Sequence, residues 1–227
     1  MKLSVLVPVY NEESTIREVI RRVQATGLAD EIVVVDDGSR DRSREILSEY
    51  DGRDGVRVVL HEVNMGKGAA LRTAIQSASG EVLLVQDADL EYDPAEYAAL
   101  LRPLEEGRAD VVYGSRFSGG TPQGMLPQSA LANKVLTLMT NLLFGNRLTD
   151  METCYKVFRR EVVAGMRLRA NRFDFEPEFT AKLLKRHVRI VEVPITFSPR
   201  EYAEGKKIGP WDGVMAVWAL LKYRFVD

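Results

Sequence analysis

Cysteine and histidine are nearly missing: the 227-residue chain has one cysteine, Cys154, and two histidines, His61 and His187. A lone thiol excludes an internal disulfide and reads as a packed side chain, and two isolated histidines exclude the ligand spacings of a structural zinc site. No stretch reaches the ~20 consecutive apolar residues of a membrane span; the nearest approach, residues 214–221, is cut off by Lys222. The amino-terminal MKLSVLVPVYNEES has too short an apolar run for a signal peptide. Neither sign of charge dominates, with 31 basic against 33 acidic residues and a net charge of -2, so the strongly basic footprint of a nucleic-acid-binding domain is absent. Also absent are Gly-x-Gly-x-x-Gly after the first apolar run and any Gly-x-x-x-x-Gly-Lys-Ser/Thr, which removes the main support for dehydrogenase and P-loop readings. There is no repeat, low-complexity tract or linker composition. The expectation is one soluble, cytoplasmic domain, 45% hydrophobic, that buries roughly 70 to 75% of its unfolded surface and meets membranes only peripherally.

What is present is an alternation. Apolar, β-branched runs at 3–9, 32–35, 56–60, 82–85 and 111–114 are separated by helix-period segments at 14–24, 42–49, 68–79 and 94–104. Near-continuous Val/Leu runs indicate strands buried on both faces, and their alternation with helices indicates right-handed crossovers. Ser14, Asp41 and the Asp93-Pro94 pair mark helix starts. The sequence therefore predicts an α/β fold with a Rossmann-like, mainly parallel sheet. Residues 117–128, rich in glycine and proline, predict a long loop of the kind that binds or covers ligands. A helix at 129–144, a short strand at YKVF, a helix at 175–186, a strand at 190–197 and an amphipathic helix at 211–225 complete the expectation.

Acidic residues gather where such sheets bind ligands, at the carboxyl ends of strands. VPVYNEE runs a strand into Asn11, Glu12 and Glu13, and IVVVDDGS runs the next into Asp36 and Asp37. These are acceptors suited to a base N–H and a ribose diol. QDADLE places Asp87, Asp89 and Glu91 at alternating positions, so an extended backbone would send all three to one side. Hard oxygen donors in this spacing suit Mg²⁺ or Mn²⁺ bridging carboxylates to a substrate's phosphates. NMGKGAAL sets two glycines around Lys67 at a helix start, where backbone and ammonium could approach an anion. GSRF ends a strand with Arg116, a candidate for bidentate phosphate binding.

Together with FDFEPEF, VRIVEVPITF and PREYAEGKKIG, these motifs resemble, in order and spacing and over nearly the whole chain, the inverting glycosyltransferases of the GT-A fold. Within them the likeness is to the polyprenyl-phosphate group typified by dolichol-phosphate mannosyltransferase. The resemblance implies a GDP- or UDP-sugar donor and a polyprenyl-phosphate acceptor. It places Pro8, Tyr10, Glu12, Asp37, Lys67 and Asp87 at the nucleotide, and Asp87, Asp89 and Glu91 at the metal and diphosphate. It gives Arg116 to the acceptor phosphate, and Arg200, Lys206 and Lys207 to a loop closing over the phosphates. Residues 1–116 would form the nucleotide-sugar part of a single domain and 117–227 the acceptor part, on the inner face of a membrane.

Two positions depart from the group: Glu91 stands where glutamine is common, and residues 118–132 hold no lysine or arginine for an acceptor phosphate. A soluble transferase using a hydroxyl acceptor therefore stays open, with Asp150 or Glu152 in LTDMETCYK as base, and so does a non-catalytic sugar-nucleotide-binding module. The acceptor decides between the first two. A phosphate monoester, with a second pKa near ~6, attacks the anomeric carbon unaided, whereas an alcohol needs a base.

Overall fold

A computed structural model describes residues 1–199 and 209–226. The predicted alternation is realised as β1 (Leu3–Val9), α1 (Ile16–Ala25), β2 (Glu31–Asp36), α2 (Ser43–Ser48), β3 (Val56–Leu60), α3 (Lys67–Ser77) and β4 (Val82–Val85). A 3₁₀ turn at Pro94–Glu96 leads into α4 (Tyr97–Glu105), followed by β5 (Val111–Ser115) and α5 (Pro127–Phe144). Then come β6 (Lys156–Arg159), α6 (Arg160–Val163), α7 (Phe175–Lys185), β7 (Ile190–Pro194) and α8 (Pro210–Phe225). The Asp93 carboxylate accepts the Ala95 amide with proline in the first turn, as its sequence signalled. The N-cap of α1 is instead Thr15, one residue past Ser14, and it makes no side-chain cap hydrogen bond.

The seven strands form one sheet in the order β3-β2-β1-β4-β6-β5-β7. β1, β2, β3 and β4 pair in parallel, with Val9 opposite Asp36, so the strand ends of β1 and β2 are level. β6 is antiparallel to both β4 and β5, and β7 returns to the parallel sense beside β5. The inversion of β6 was not legible in the sequence, and it organises the site. Because β6 runs backwards, its amino end lies on the same rim as the carboxyl ends of β1, β2, β4 and β5.

Strand residues Val5 to Val7, Val33 to Val35, Leu83, Leu84, Val111 and Val112 are fully buried, each contributing roughly 1.5–3 kcal/mol of transfer free energy. α7 is buried along Phe175–Leu184, although it carries Glu176, Glu178 and Lys182. Charges in such a helix must be matched. Glu178 is matched by Lys182 at 2.7 Å and by the amides of Arg169 and Ala170. Among the described residues no helix is long and apolar enough to cross a membrane.

Candidate functional site

At the β1/β2 end of the rim the polar groups are used by the protein itself. Asn11, held at φ 52°, accepts the Arg40 amide on its Oδ1 at 2.8 Å. The Glu12 amide donates to Ser43 Oγ at 2.8 Å, and the Glu12 carboxylate accepts Thr15 Oγ1–H at 3.0 Å. Glu13 accepts the Arg42 amide and donates its own amide to Asp41. These bonds stitch the turn after β1 to the turn after β2. Asp36 is fully buried and paired with Arg44 at 2.7 Å.

Asp37 organises a different segment. Its Oδ1 accepts from His61 Nδ1 at 2.7 Å and from the Met65 amide at 2.9 Å, and its Oδ2 accepts the Gly66 amide at 2.7 Å. His61 Nε2 then meets Thr73 Oγ1 at 2.9 Å, so the imidazole ties strand end to helix. Sequence reading passed His61 over as isolated. Pro8 and Tyr10 lie partly buried beside this platform.

The glycines around Lys67 have a reason the sequence did not reveal. Gly66 has φ 97°, and a side chain on it would strike the Asn171 carbonyl; one on Gly68 would sit 2.5 Å from the Ala170 carbonyl oxygen. The 170–172 loop packs directly onto the start of α3, a close approach only glycine permits. Lys67 itself bridges Asp87 at 2.9 Å and Glu176 at 3.0 Å. Burial pushes its ammonium down, but Asp87 and then Glu176 outweigh that and hold it well above the ordinary lysine range. Glu176, nearly buried in the first turn of α7, is a member of the site that sequence reasoning did not single out. Its signal was present: an acidic residue in a helix buried on all sides needs a cationic partner.

At the end of β4, Gln86 is pinned by the hydroxyls of Tyr97 at 2.7 Å and Tyr155 at 2.8 Å, and its side-chain amide returns to the Asp87 carbonyl. Extension stops at Val85. The chain then bends, Asp89 is buried with its Oδ1 accepting the Glu91 amide at 3.2 Å, and Glu91 uses its carbonyl to receive the Ser198 amide. The strand thus ends before the acidic trio, and among the described residues no group of three or more acidic, histidine or cysteine side chains is arranged to hold a metal ion. Asp87, Asp89 and Glu91 follow one another from the end of β4. That set fits Mg²⁺ or Mn²⁺ taken up with a substrate's phosphates and water, rather than an ion caged by protein alone. Cys154 is buried behind Asp87, and burial, reinforced by the Asp87 charge, holds its thiol well above the usual range, consistent with a packed, unreactive group.

Across β6, Arg116 and Asp150 meet. Arg116 Nε donates to Asp150 Oδ2 at 2.7 Å and Nη2 to Oδ1 at 2.8 Å, while the Arg116 amide adds a bond at 3.0 Å. Asp150 is fully buried, Arg116 keeps 8% of its side chain exposed, and the guanidinium lies over the Phe197 ring at 5.2 Å. Sequence reading proposed both residues without joining them. Their neighbour Glu152 has Oε1 buried without a hydrogen-bond partner among the described residues. Burial first, then Glu176, pushes its carboxyl up, while burial pulls the Lys156 ammonium down. Lys156 Nζ donates to the Met151 carbonyl at 2.9 Å. Arg200, Lys206 and Lys207 lie outside the described residues.

Comparison with known proteins places this geometry. The model of the family described as Glycosyl transferase family 2 matches residues 4–166. A dolichol-phosphate mannosyltransferase of Pyrococcus furiosus is 30% identical over 230 residues, covering 98% of this chain and 64% of its own length. The glycosyltransferase AglJ of Haloferax volcanii is 30% identical, covering 91% of this chain and 66% of its own length. An undecaprenyl-phosphate 4-deoxy-4-formamido-L-arabinose transferase of Pseudomonas aeruginosa is 34% identical, covering 90% and 60%. The chain thus spans about two thirds or less of these relatives. Among solved structures, glucosyl-3-phosphoglycerate synthase of Mycobacterium tuberculosis, crystallised with Mn²⁺, uridine diphosphate and phosphoglyceric acid, superposes with a TM-score of 0.76 at 22% identity, covering all of this chain and 79% of that one. The fold, mainly parallel with helices on both sides and a carboxyl-terminal helix, is the GT-A-like fold of these enzymes.

Proposed function

From the premise that the chain belongs to glycosyl transferase family 2, we propose that it moves a sugar, with inversion, from a nucleotide-diphosphate sugar to a polyprenyl phosphate at a membrane surface. Residues 1–116 would hold the donor and 117–227 the acceptor. Pro8, Tyr10, Glu12 and Asp37 would line the nucleotide, with Asp37 acting through the 61–66 segment it anchors. Asp87, Asp89 and Glu91 would hold Mg²⁺ or Mn²⁺, which when bound supplies positive charge against the departing diphosphate. Lys67 pairs with Asp87 at 2.9 Å and would hold it in place. Arg200, Lys206 and Lys207 are assigned to the donor's phosphates on the family resemblance.

The observation that carries the acceptor class is the Arg116–Asp150 pair. Asp150 is fully buried and both of its oxygens accept from Arg116, so the carboxylate is not open to an incoming alcohol. Glu152 is no better as a base, because burial favours its protonated form. An acceptor that arrives already ionised needs neither, and a phosphate monoester is such an acceptor. The Nη1 of Arg116 makes no hydrogen bond among the described residues, so it can meet that phosphate from the edge not used by Asp150. Two of the relatives are named for a lipid phosphate, dolichol phosphate in one and undecaprenyl phosphate in the other, in keeping with this reading.

The test supplies purified protein with GDP- and UDP-sugars, Mn²⁺ and a short-chain, water-soluble polyprenyl phosphate, and follows products by mass spectrometry. A lipid-phosphate-linked sugar is expected with one nucleotide strongly preferred. Efficient transfer to a soluble alcohol with no transfer to the phosphate would overturn the reading and return the hydroxyl-acceptor alternative.

A further inference from the structure

A guanidinium that receives a phosphate must be held in one orientation, yet the two residues that meet here sit outside regular structure. Arg116 follows the last residue of β5, Ser115, and its partner Asp150 lies 34 residues away, in the connection between α5 and β6. The Asp150 carboxylate fixes Arg116 only as well as the backbone of that connection is itself fixed.

Glu192 fixes it. This residue is the third of β7, opposite Tyr113 of β5. An acid in the apolar run of an edge strand keeps the edge soluble when it faces water. Glu192 is instead half-buried and spends both oxygens on the protein. Its Oε1 accepts the Asp150 amide at 2.9 Å, and its Oε2 accepts the Thr149 amide at 2.8 Å and the Thr149 hydroxyl at 3.0 Å. Burial holds its carboxyl above the ordinary range, against the pull of the Asp150 and Thr149 donors.

These bonds have a direction. Thr149 Oγ1 has one proton, and the carboxylate, which can only accept, takes it. At the 2.6 Å contact between the Ser115 and Thr149 hydroxyls, Ser115 must therefore be the donor. The Ser115 oxygen keeps its lone pairs, and it receives the amides of Phe117 and Ser118, both at 3.2 Å. One carboxylate thus anchors Asp150 directly and, through two hydroxyls, the residues on either side of Arg116. The continuation of β7 adds the Phe197 ring, 5.2 Å from the guanidinium, and the Ile195 amide, which donates to the Ser115 carbonyl at 3.1 Å.

We propose that Glu192 is a positioning residue for acceptor binding: it sets Asp150 and the exit of β5 so that Arg116 presents its Nη1 edge to the acceptor phosphate in a single orientation. It touches neither substrate and acts through Asp150, Thr149 and Ser115. Glutamine would do this less well, because it keeps one oxygen for the turn and sets an N–H donor where the Thr149 donors point. Alanine leaves those donors without any acceptor. That the oriented group meets a phosphate rests on the proposed acceptor. That Glu192 orients it does not, and the experiment separates the two.

The full-length wild type, Glu192→Gln and Glu192→Ala are compared in three measurements. Hydrogen exchange is followed by NMR at the Arg116 Nε–H and at the Phe117, Ser118 and Asp150 amides, with no substrate present. The Kd of GDP and of UDP is measured with Mn²⁺. The kcat and KM are measured for the water-soluble polyprenyl phosphate. In Glu192→Ala exchange should quicken at all four positions and the acceptor KM should rise at least ~10-fold, with kcat within ~3-fold and nucleotide Kd unchanged. Glu192→Gln should fall between alanine and wild type, a graded rescue that a mere loss of folded protein would not give. It carries the test alone if the alanine variant does not fold. Wild-type KM and exchange in the variants overturn the proposal. So does a weakening of nucleotide binding equal to that of the acceptor, which assigns Glu192 to general stability. A wild type that ignores the polyprenyl phosphate sinks the acceptor assignment instead, and quickened Arg116 Nε–H exchange in the variants would still uphold the positioning role.

Discussion

The two ends of the rim treat buried charge differently. At β1 and β2, carboxylates and amides are satisfied locally: Asn11, Glu13 and Asp41 exchange bonds between two turns, and Asp37 takes three donors from 61–66. At β4, β6 and β5, charges answer charges from distant segments: Lys67 with Asp87 and Glu176, and Arg116 with Asp150. The first arrangement makes a rigid seat. The second holds ionic groups in a low-dielectric setting, where a charged ligand is felt strongly and where removal of one partner is costly.

The sharpest way to break that comparison is Asp150→Asn. It strands a buried guanidinium, so urea denaturation should show a loss of about 3–5 kcal/mol. A loss below ~1 kcal/mol would mean water already screens the pair, and the distinction between the two ends would collapse. Arg116→Ala should destabilise comparably and, in protein that folds, raise the KM for the phosphate acceptor.

Next in size is Asp89→Ala, which should lower kcat at least ~10²-fold in a folded protein, with activity lost in excess EDTA and restored by Mn²⁺. Full turnover in EDTA would remove the carboxylates after β4 from the reaction. Asp37→Asn tests the other end. It weakens charge-assisted bonds to His61, Met65 and Gly66 and should cost about 1–3 kcal/mol, with faster hydrogen exchange at the Met65 and Gly66 amides. Unchanged exchange would show that the seat does not depend on this carboxylate.

The smallest effect is expected far from the rim. Glu18 joins Arg21 and Arg22 on the exposed side of α1 at 2.7 Å, and Arg21→Ala should leave the urea midpoint essentially unchanged. A marked fall in that midpoint would indicate that exposed pairs matter here as much as the buried ones.

By itself the sequence determined the strands and helices and the placement of acids at strand ends, because burial on both faces and helical periodicity are local properties of a few consecutive residues. It also pointed to Asp87, Asp89, Arg116 and Lys67 individually. Only tertiary structure decided how they combine. The reversed direction of β6 brought Asp150 to Arg116, the packing of α7 brought Glu176 to Lys67, and β4 ended at Val85, before the acidic trio. The same holds for α5, whose inward side carries Leu136, Thr137 and Thr140, with Thr137 taking the Met151 amide and Asn141 the Leu148 backbone. Periodicity reports that a helix has two faces. Which face meets the protein depends on partners distant in sequence, such as the Met151 amide and the Leu148 backbone, that no local pattern can supply.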